Sequence, residues 1–257
     1  MRQQAPWTAA IALLLVSPAG QPSPNDVQRD RPVPFRVGEV LTYDVGWSTY
    51  LTAGSATLSV KDRRPAGPGV AVYDLVAEGW PTSLLDKLYH VYYKAETLLN
   101  TATLQPAFAT LYSDERGRTR LKSLRFLSAT RTEFQPKAGA PKEQRAVPAG
   151  TLDPLAAVYV MRQIPLKAGQ PVTMSIIEDT IVYTVRWQIA APESLTTDLG
   201  TFSAWRLTPL VTDTRGKPVA NRQIVVWISD DARRLPVKFQ AGLAVGSFTL
   251  TLTHAAG

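Results

Sequence analysis

From Thr42 onward, apolar and polar positions alternate with a period of two over one short stretch after another. The last stretch is the clearest: Phe248, Leu250 and Leu252 alternate with Thr249, Thr251 and Thr253. Such alternation puts one set of side chains on each face of a strand. It predicts strands at residues 42–47, 53–60, 70–78, 91–97, 108–115, 119–126, 172–178, 181–189, 202–212, 223–229, 235–241 and 245–253. Glu115, Arg116 and Gly117 read as one of the turns between them. Many short strands, frequent turns and no alternation of strand with helix give a mainly β fold. The expected architecture is a single curved antiparallel sheet closing toward a half-barrel or barrel.

Two short helices interrupt this pattern and are expected to cover the sheet. In residues 81–88, Thr82 or Ser83 can cap a turn carrying Leu84, Leu85 and Leu88. Residues 153–163 carry a stronger signal. Asp153 can cap, Pro154 suits the first turn, and Pro165 lies just past the end. Leu155, Val158 and Tyr159 are expected to bury one stripe against the sheet. A helix laid on a curved sheet would enclose an apolar space.

The N-terminus has a different pattern. Arg2 precedes an unbroken apolar run from Ala9 to Val16, and Ser17, Pro18 and Ala19 follow, as in a signal peptide over residues 1–19. The run is shorter than the about 20 apolar residues needed to cross a bilayer, so no transmembrane anchor is expected after cleavage. No cysteine follows the run, which argues against a lipid anchor at that point. Residues 20–34, rich in proline and polar side chains, read as a flexible lead-in. Residues 35–254 then form a single β-rich domain of about 220 residues, enough for a full core. Export to the periplasm is the expected address.

The chain has no cysteine, which removes disulfides, thiolate metal sites and cysteine nucleophiles. Its formal net charge is +7. That excess would favour anionic lipid, acidic glycan or an acidic envelope protein, although it is also ordinary solubilising charge. Export makes nucleic acid an unexpected partner.

Three blocks of sequence resemble a family of exported bacterial proteins, domain of unknown function 3108. They are FRVGEVLTYDVGW with the following AGSATLSV, then LDPLAAVYVMRQIPLKAGQPV, then VVWISDDARRLPVKF. The resemblance implies a β-rich fold and an envelope location, and it transfers no catalytic residue. Read physically, Gly38 and Gly54 permit turn conformations. Asp230, Asp231, Ala232 and Arg233 form a hairpin turn. Pro236 belongs at a sheet edge or a strand start.

Groups able to carry chemistry are few. His254 lies in a tail expected to fray, and His90 sits at a strand start with no nucleophile elbow elsewhere in the chain. The pairs Asp114 and Glu115, Glu178 and Asp179, and Asp230 and Asp231 each point to opposite faces of their strand. None forms a two-carboxyl site by itself. No catalytic residue, metal site or cofactor is therefore expected.

The basic stretch at residues 116–122 has more content. Arg118, Arg120 and Lys122 share one strand face and could bind phosphate or carboxylate oxygens. The plainer alternative is a solvated face that protects a sheet edge. The aromatics Tyr43, Trp47, Tyr50, Trp80, Tyr89, Tyr92, Tyr93, Trp187, Trp205 and Trp227 suit either a core or the lining of a ligand cavity. The sequence thus points to a non-enzymatic envelope protein that binds an amphiphilic ligand or a partner. An envelope hydrolase using carboxylates and a scaffold using a sheet edge are the alternatives.

Overall fold

The computed structural model describes residues 29–47, 51–219, 224–243 and 246–257. The segment read as a signal peptide, residues 20–28, Tyr50, and the first residues of two expected strands, Gln223 and Val245, lie outside them. The described elements run in the order β1 (Val40–Trp47), β2 (Leu51–Gly67), β3 (Val70–Pro81), α1 (Ser83–Leu88), β4 (Val91–Asn100), β5 (Pro106–Glu115), β6 (Arg118–Ser128), β7 (Arg131–Gln135) and β8 (Glu143–Ala146). There follow α2 (Pro154–Gln163), β9 (Val172–Glu178), β10 (Ile181–Ile189), β11 (Glu193–Thr197), β12 (Gly200–Thr212), β13 (Ile224–Ser229), β14 (Pro236–Leu243) and β15 (Gly246–Ala256).

These strands make one antiparallel sheet, as the alternation predicts. Its order is β8-β7-β6-β5-β4-β3-β2-β1-β15-β14-β13-β12-β10-β9, with β11 hydrogen-bonded to β12 off this path. Strands β7, β8 and β11 escape the sequence pattern. Two are five residues long and one is four, and β8 is exposed throughout, so no apolar alternation marks it. Pro236 opens β14, which lies between β13 and β15. Its missing N–H is tolerated as a strand start and not as a sheet edge, so it supplies no support for an edge-binding scaffold. The path ends at β8 and β9, and β6 also keeps a free edge over residues 118–122; Arg145 and Glu143 on β8 form an ion pair of the kind that discourages edge pairing.

Among the described residues hydrogen bonds do not close the sheet, but packing covers the gap between β9 and the far strands. After β8, Leu152 donates to Ser175 and accepts from Ile177 of β9, both at 2.9 Å. Ile177 and Val182 pack against Ala109, Leu124 and Phe134 from the far side of the gap.

Helix α2 lies inside the curl instead of covering it. Leu155, Ala156, Ala157, Tyr159, Met161 and Arg162 are all buried, which is far more than one stripe. It packs against β2, β3 and β4 on one side and β9, β10, β12 and β13 on the other. A helix buried around its whole circumference gains its stability from tertiary contacts more than from amphipathic patterning.

The antiparallel pairing gathers several connections at one end of the sheet, here termed the rim. Trp47 pairs with Leu51 and Phe248, Gly54 with Pro81, and Val91 with Glu115. The β1–β2, β3–α1–β4, β5–β6 and β14–β15 connections therefore share that end. The β9–β10 turn joins them across the gap, where Lys122 Nζ lies 2.7 Å from Asp179 Oδ2. The opposite end is sealed around Phe35, whose ring packs edge-on against Tyr73 and Tyr159.

Two further expectations change at that sealed end. The described part of the lead-in, residues 29–34, is tied down: Asp30 pairs with Arg63, Arg31 N donates to Thr101 O, and Val33 packs on the core. His254 does not fray, because β15 pairs with β1 as far as Ala256. Gly38 does adopt the expected turn conformation, with φ of +87°. Gly54 instead sits inside β2, where a Cβ would collide with the Trp80 carbonyl oxygen.

Candidate functional site

The first turn of α2 is fixed by its cap. Asp153 Oδ1 accepts from Leu155 N and Ala156 N, both at 3.1 Å, and from Thr97 Oγ1 at 2.8 Å. The second oxygen, Oδ2, is buried and has no hydrogen-bond partner among the described residues. Burial raises the Asp153 carboxyl above the ordinary carboxylate value, against the opposing pull of these hydrogen bonds. Pro154 follows, exposed at the top of the helix.

A cavity lies on each side of that turn, and Pro154 lines both. One, of about 200 Å³, is walled by Val158 and Met161 of α2 with Trp187, Leu207, Ile224 and Phe239 of the sheet. Apart from Trp187 Nε1, which is buried without a hydrogen-bond partner among the described residues, those side chains are apolar. The other, of about 160 Å³, runs between α2 and strands β4 to β6. Ala95, Ala109, Leu124 and Leu155 form its apolar wall, with Asp153 and Lys122 among its polar residues.

Of the three basic residues, Lys122 is thus on the cavity wall. Arg118 and Arg120 continue along the same face of β6 by strand alternation, opposite Glu115 and Ser113 of β5. Both are exposed. The three cations form a row from the cavity wall out to the rim. Strand β7 pairs only with residues 123–128 of β6, so residues 118–122 keep a free edge on that side, where charged side chains also discourage edge pairing. A row of like charges on such a half-paired strand is tolerated when its charges reach solvent or partners. Lys122 meets Asp179, and the two arginines reach water at the rim.

The aromatics divide among four environments. Trp187 lines the apolar cavity, while Tyr43 and Trp227 are buried in a second cluster with Leu41, Val237 and Leu252. Trp205 Nε1 donates to Asp230 and Tyr92 OH to Glu78. Trp47, Trp80, Tyr89 and Tyr93 are exposed at the rim. The Tyr93 phenol is pushed up to about 12 by its hydrogen bond to Glu115 and by burial, so it remains a donor.

The paired carboxylates have structural duties. Asp114 accepts from Gly117 N in the β5–β6 turn, and Asp231 Oδ1 accepts from Arg233 N, Arg234 N and Ser229 Oγ in the β13–β14 turn. Glu178 and Asp179 line the cavity that also holds Asp153. His90 is exposed, its Nδ1 2.7 Å from Asp86 Oδ1.

The pair that sequence reasoning missed is Glu39 with Arg162. Arg162 is 1% exposed and Glu39 3%. Two hydrogen bonds of 2.6 and 2.9 Å join them, and Arg162 also donates to the carbonyls of Arg234 and Arg233 at 3.0 and 3.1 Å. The three family-like blocks converge here, one contributing Glu39, one Arg162 and one the β13–β14 turn. A charged residue in an otherwise apolar helix was the available signal, since a buried arginine requires a partner.

No curated protein matches the chain in sequence. Among solved structures, it is similar to a beta-barrel-like protein of domain of unknown function DUF1849 from Brucella abortus. The TM-score is 0.55 at 9% identity, over 85% of this chain and 97% of that one. That likeness shows a shared fold. A candidate lipoprotein from Parabacteroides distasonis is similar at TM-score 0.36 and 8% identity, over 89% of this chain and 100% of that one. A candidate exported protein with a YmcC-like fold from Bacteroides fragilis reaches TM-score 0.32 at 9% identity, over 88% and 98%. In sequence, the profile described as protein of unknown function DUF3108 matches residues 42–253, most of the chain, and the protein belongs to that family.

Proposed function

We propose that this chain is a non-catalytic, exported envelope protein that takes up an anionic amphiphile beside α2. The apolar part of the ligand enters the cavities flanking Pro154, and its charged head meets Lys122, Arg120 and Arg118. The observation that carries this reading is the juxtaposition of an apolar-walled cavity with a row of cations leading out of it. Export is supported by the signal-like pattern of residues 1–19.

Size favours a slender ligand. Sites for drug-sized molecules occupy about 300–1,000 Å³, whereas these cavities measure about 160 and 200 Å³. An alkyl chain suits either of them, and a branched glycan does not. Guanidinium groups would meet a phosphate or carboxylate head with paired hydrogen bonds.

Native mass spectrometry of protein recovered from its own cell envelope tests the proposal, followed by titration with lysophosphatidylglycerol and lysophosphatidylcholine. A bound adduct and tighter binding of the anionic lysolipid are expected. Protein that is repeatedly ligand-free and binds neither lysolipid would count decisively against it.

Hydrolysis is a second reading, because Asp153, Glu178 and Asp179 line one cavity and burial favours the protonated form of Asp153. Turnover of an ester or glycoside substrate that is lost in Asp153→Asn and Glu178→Gln would establish it. A screen with no turnover by the unaltered protein would end it.

A further inference from the structure

The rim has a composition that neither the core nor an ordinary solvated surface requires. Helix α1 buries none of its residues, and Leu84 and Leu88 are 70% and 71% exposed. Thr82 caps the helix, its Oγ1 accepting from Leu85 N, so the leucines are presented on an ordered turn. Trp80 and Tyr89 flank α1, and Trp47 and Tyr93 stand on the neighbouring strands, each more than a third exposed. Exposed apolar groups gathered in this way mark an interaction surface.

Basic side chains surround this apolar group. Lys87 lies in the last turn of α1, and the Arg116 guanidinium sits 5.0 Å from the centre of the Tyr89 ring. Arg118 and Arg120 follow on β6. Asp86, Asp114 and Glu115 lie among these cations, held by His90, the Gly117 amide and Tyr93 OH, and offset part of the positive charge while leaving the four cations in excess. Leucines at a tip, tryptophan and tyrosine around them, and lysine and arginine beyond are the groups that partition into a bilayer interface carrying negative headgroups.

We infer that the rim docks on the surface of an anionic lipid bilayer, with Leu84 and Leu88 entering the headgroup region and Lys87, Arg116, Arg118 and Arg120 contacting lipid phosphates. Among the described residues no helix is long and apolar enough to cross a membrane, and this contact requires none. It would turn the basic row of β6, and the cavity that it leads from, toward the membrane. The inference shares Arg118 and Arg120 with the ligand proposal and rests otherwise on the exposed side chains of α1 and its neighbours.

Co-sedimentation with vesicles of phosphatidylglycerol or phosphatidylcholine tests it, using the full chain and a chain without residues 1–19 so that the N-terminal apolar run is accounted for. Binding to the anionic vesicles is expected in both forms, about tenfold tighter than to the zwitterionic ones and weaker at high salt. Leu84→Asp with Leu88→Asp, and separately Arg118→Glu with Arg120→Glu, should each lower binding at least about fivefold with an unchanged thermal midpoint. Ala95→Phe, which fills the cavity beside Lys122, should abolish lysolipid uptake there yet leave vesicle binding intact, and thereby separate this inference from the ligand proposal. Failure of the chain lacking residues 1–19 to bind anionic vesicles, or binding by either double variant as tight as that of the unaltered chain, overturns it.

Discussion

Arg162 and Glu39 form a two-pronged ion pair, 2.6 and 2.9 Å long, between the last turn of α2 and the residue just before β1. The pair is sealed from solvent. The Arg162 guanidinium also lies 5.4 Å from the ring centres of Phe35 and Tyr159. Its bonds to the Arg233 and Arg234 carbonyls hold the β13–β14 turn, in which Arg234 has a φ of +48°.

Removing one partner of this pair should cost more than the pair itself contributes, because it strands a buried charge. Glu39→Ala is expected to destabilise the fold by about 3–5 kcal/mol, read from the midpoint of urea unfolding. Exchanging both residues for apolar ones, Glu39→Leu with Arg162→Met, should recover a substantial part of that loss. A single variant as stable as the unaltered chain would remove the pair from its central place.

Asp153 predicts a pH dependence of unusual direction for a carboxylate. Its folded-state value lies above the ordinary one because of burial, so between the two values the native state binds more protons than the unfolded state. Stability attributable to this group therefore falls as pH rises through that window and stays low above it. Asp153→Asn keeps a capping side chain and should flatten this part of the profile, whereas Asp153→Ala should lose about 1 kcal/mol of capping. Unfolding midpoints of the three proteins from pH 4 upward would show it.

Gly54 is required by a close approach of strands and not by a turn. A Cβ at that position would strike the Trp80 carbonyl oxygen and crowd Pro81. Gly54→Ala should cost about 1–3 kcal/mol, the usual range for forcing atoms into a packed site, measured by thermal unfolding. Gly117→Ala should also cost about 1–2 kcal/mol, for a different reason: the φ of +78° in the β5–β6 turn.

Lys122 separates binding from stability. Its contact with Asp179 is partly exposed, with side-chain exposures of 33% and 40%. Lys122→Met should accordingly shift stability by less than about 1 kcal/mol. On the ligand proposal it should weaken binding of lysophosphatidylglycerol several-fold, with binding of lysophosphatidylcholine little altered. Titration of both lysolipids against both proteins would reveal the difference. Equal weakening for the two would point to a loss of cavity shape instead of charge.

Period-two alternation marked most strands of this sheet to within a few residues, because each has one face against apolar neighbours. Strand β9, at Val172–Glu178, and β10, at Ile181–Ile189, fall where the pattern puts them. Asp153, Pro154 and Pro165 likewise bounded α2, since caps and prolines act through nearby backbone groups. The failures have a common cause. Strand β8 has no buried face to leave a pattern, and the burial of α2 on all sides depends on strands distant in sequence.

The same division holds for the site. That Arg118, Arg120 and Lys122 share a strand face follows from local backbone geometry and is legible in their spacing alone. That this face leads to a cavity was set by the fold, since the opposite wall comes from α2 and β9. The fold also decided the role of Glu39 and Arg162, which lie 123 residues apart. Neither residue carries a local signature of the other, and the need of a buried charge for a partner acts only once the chain has folded.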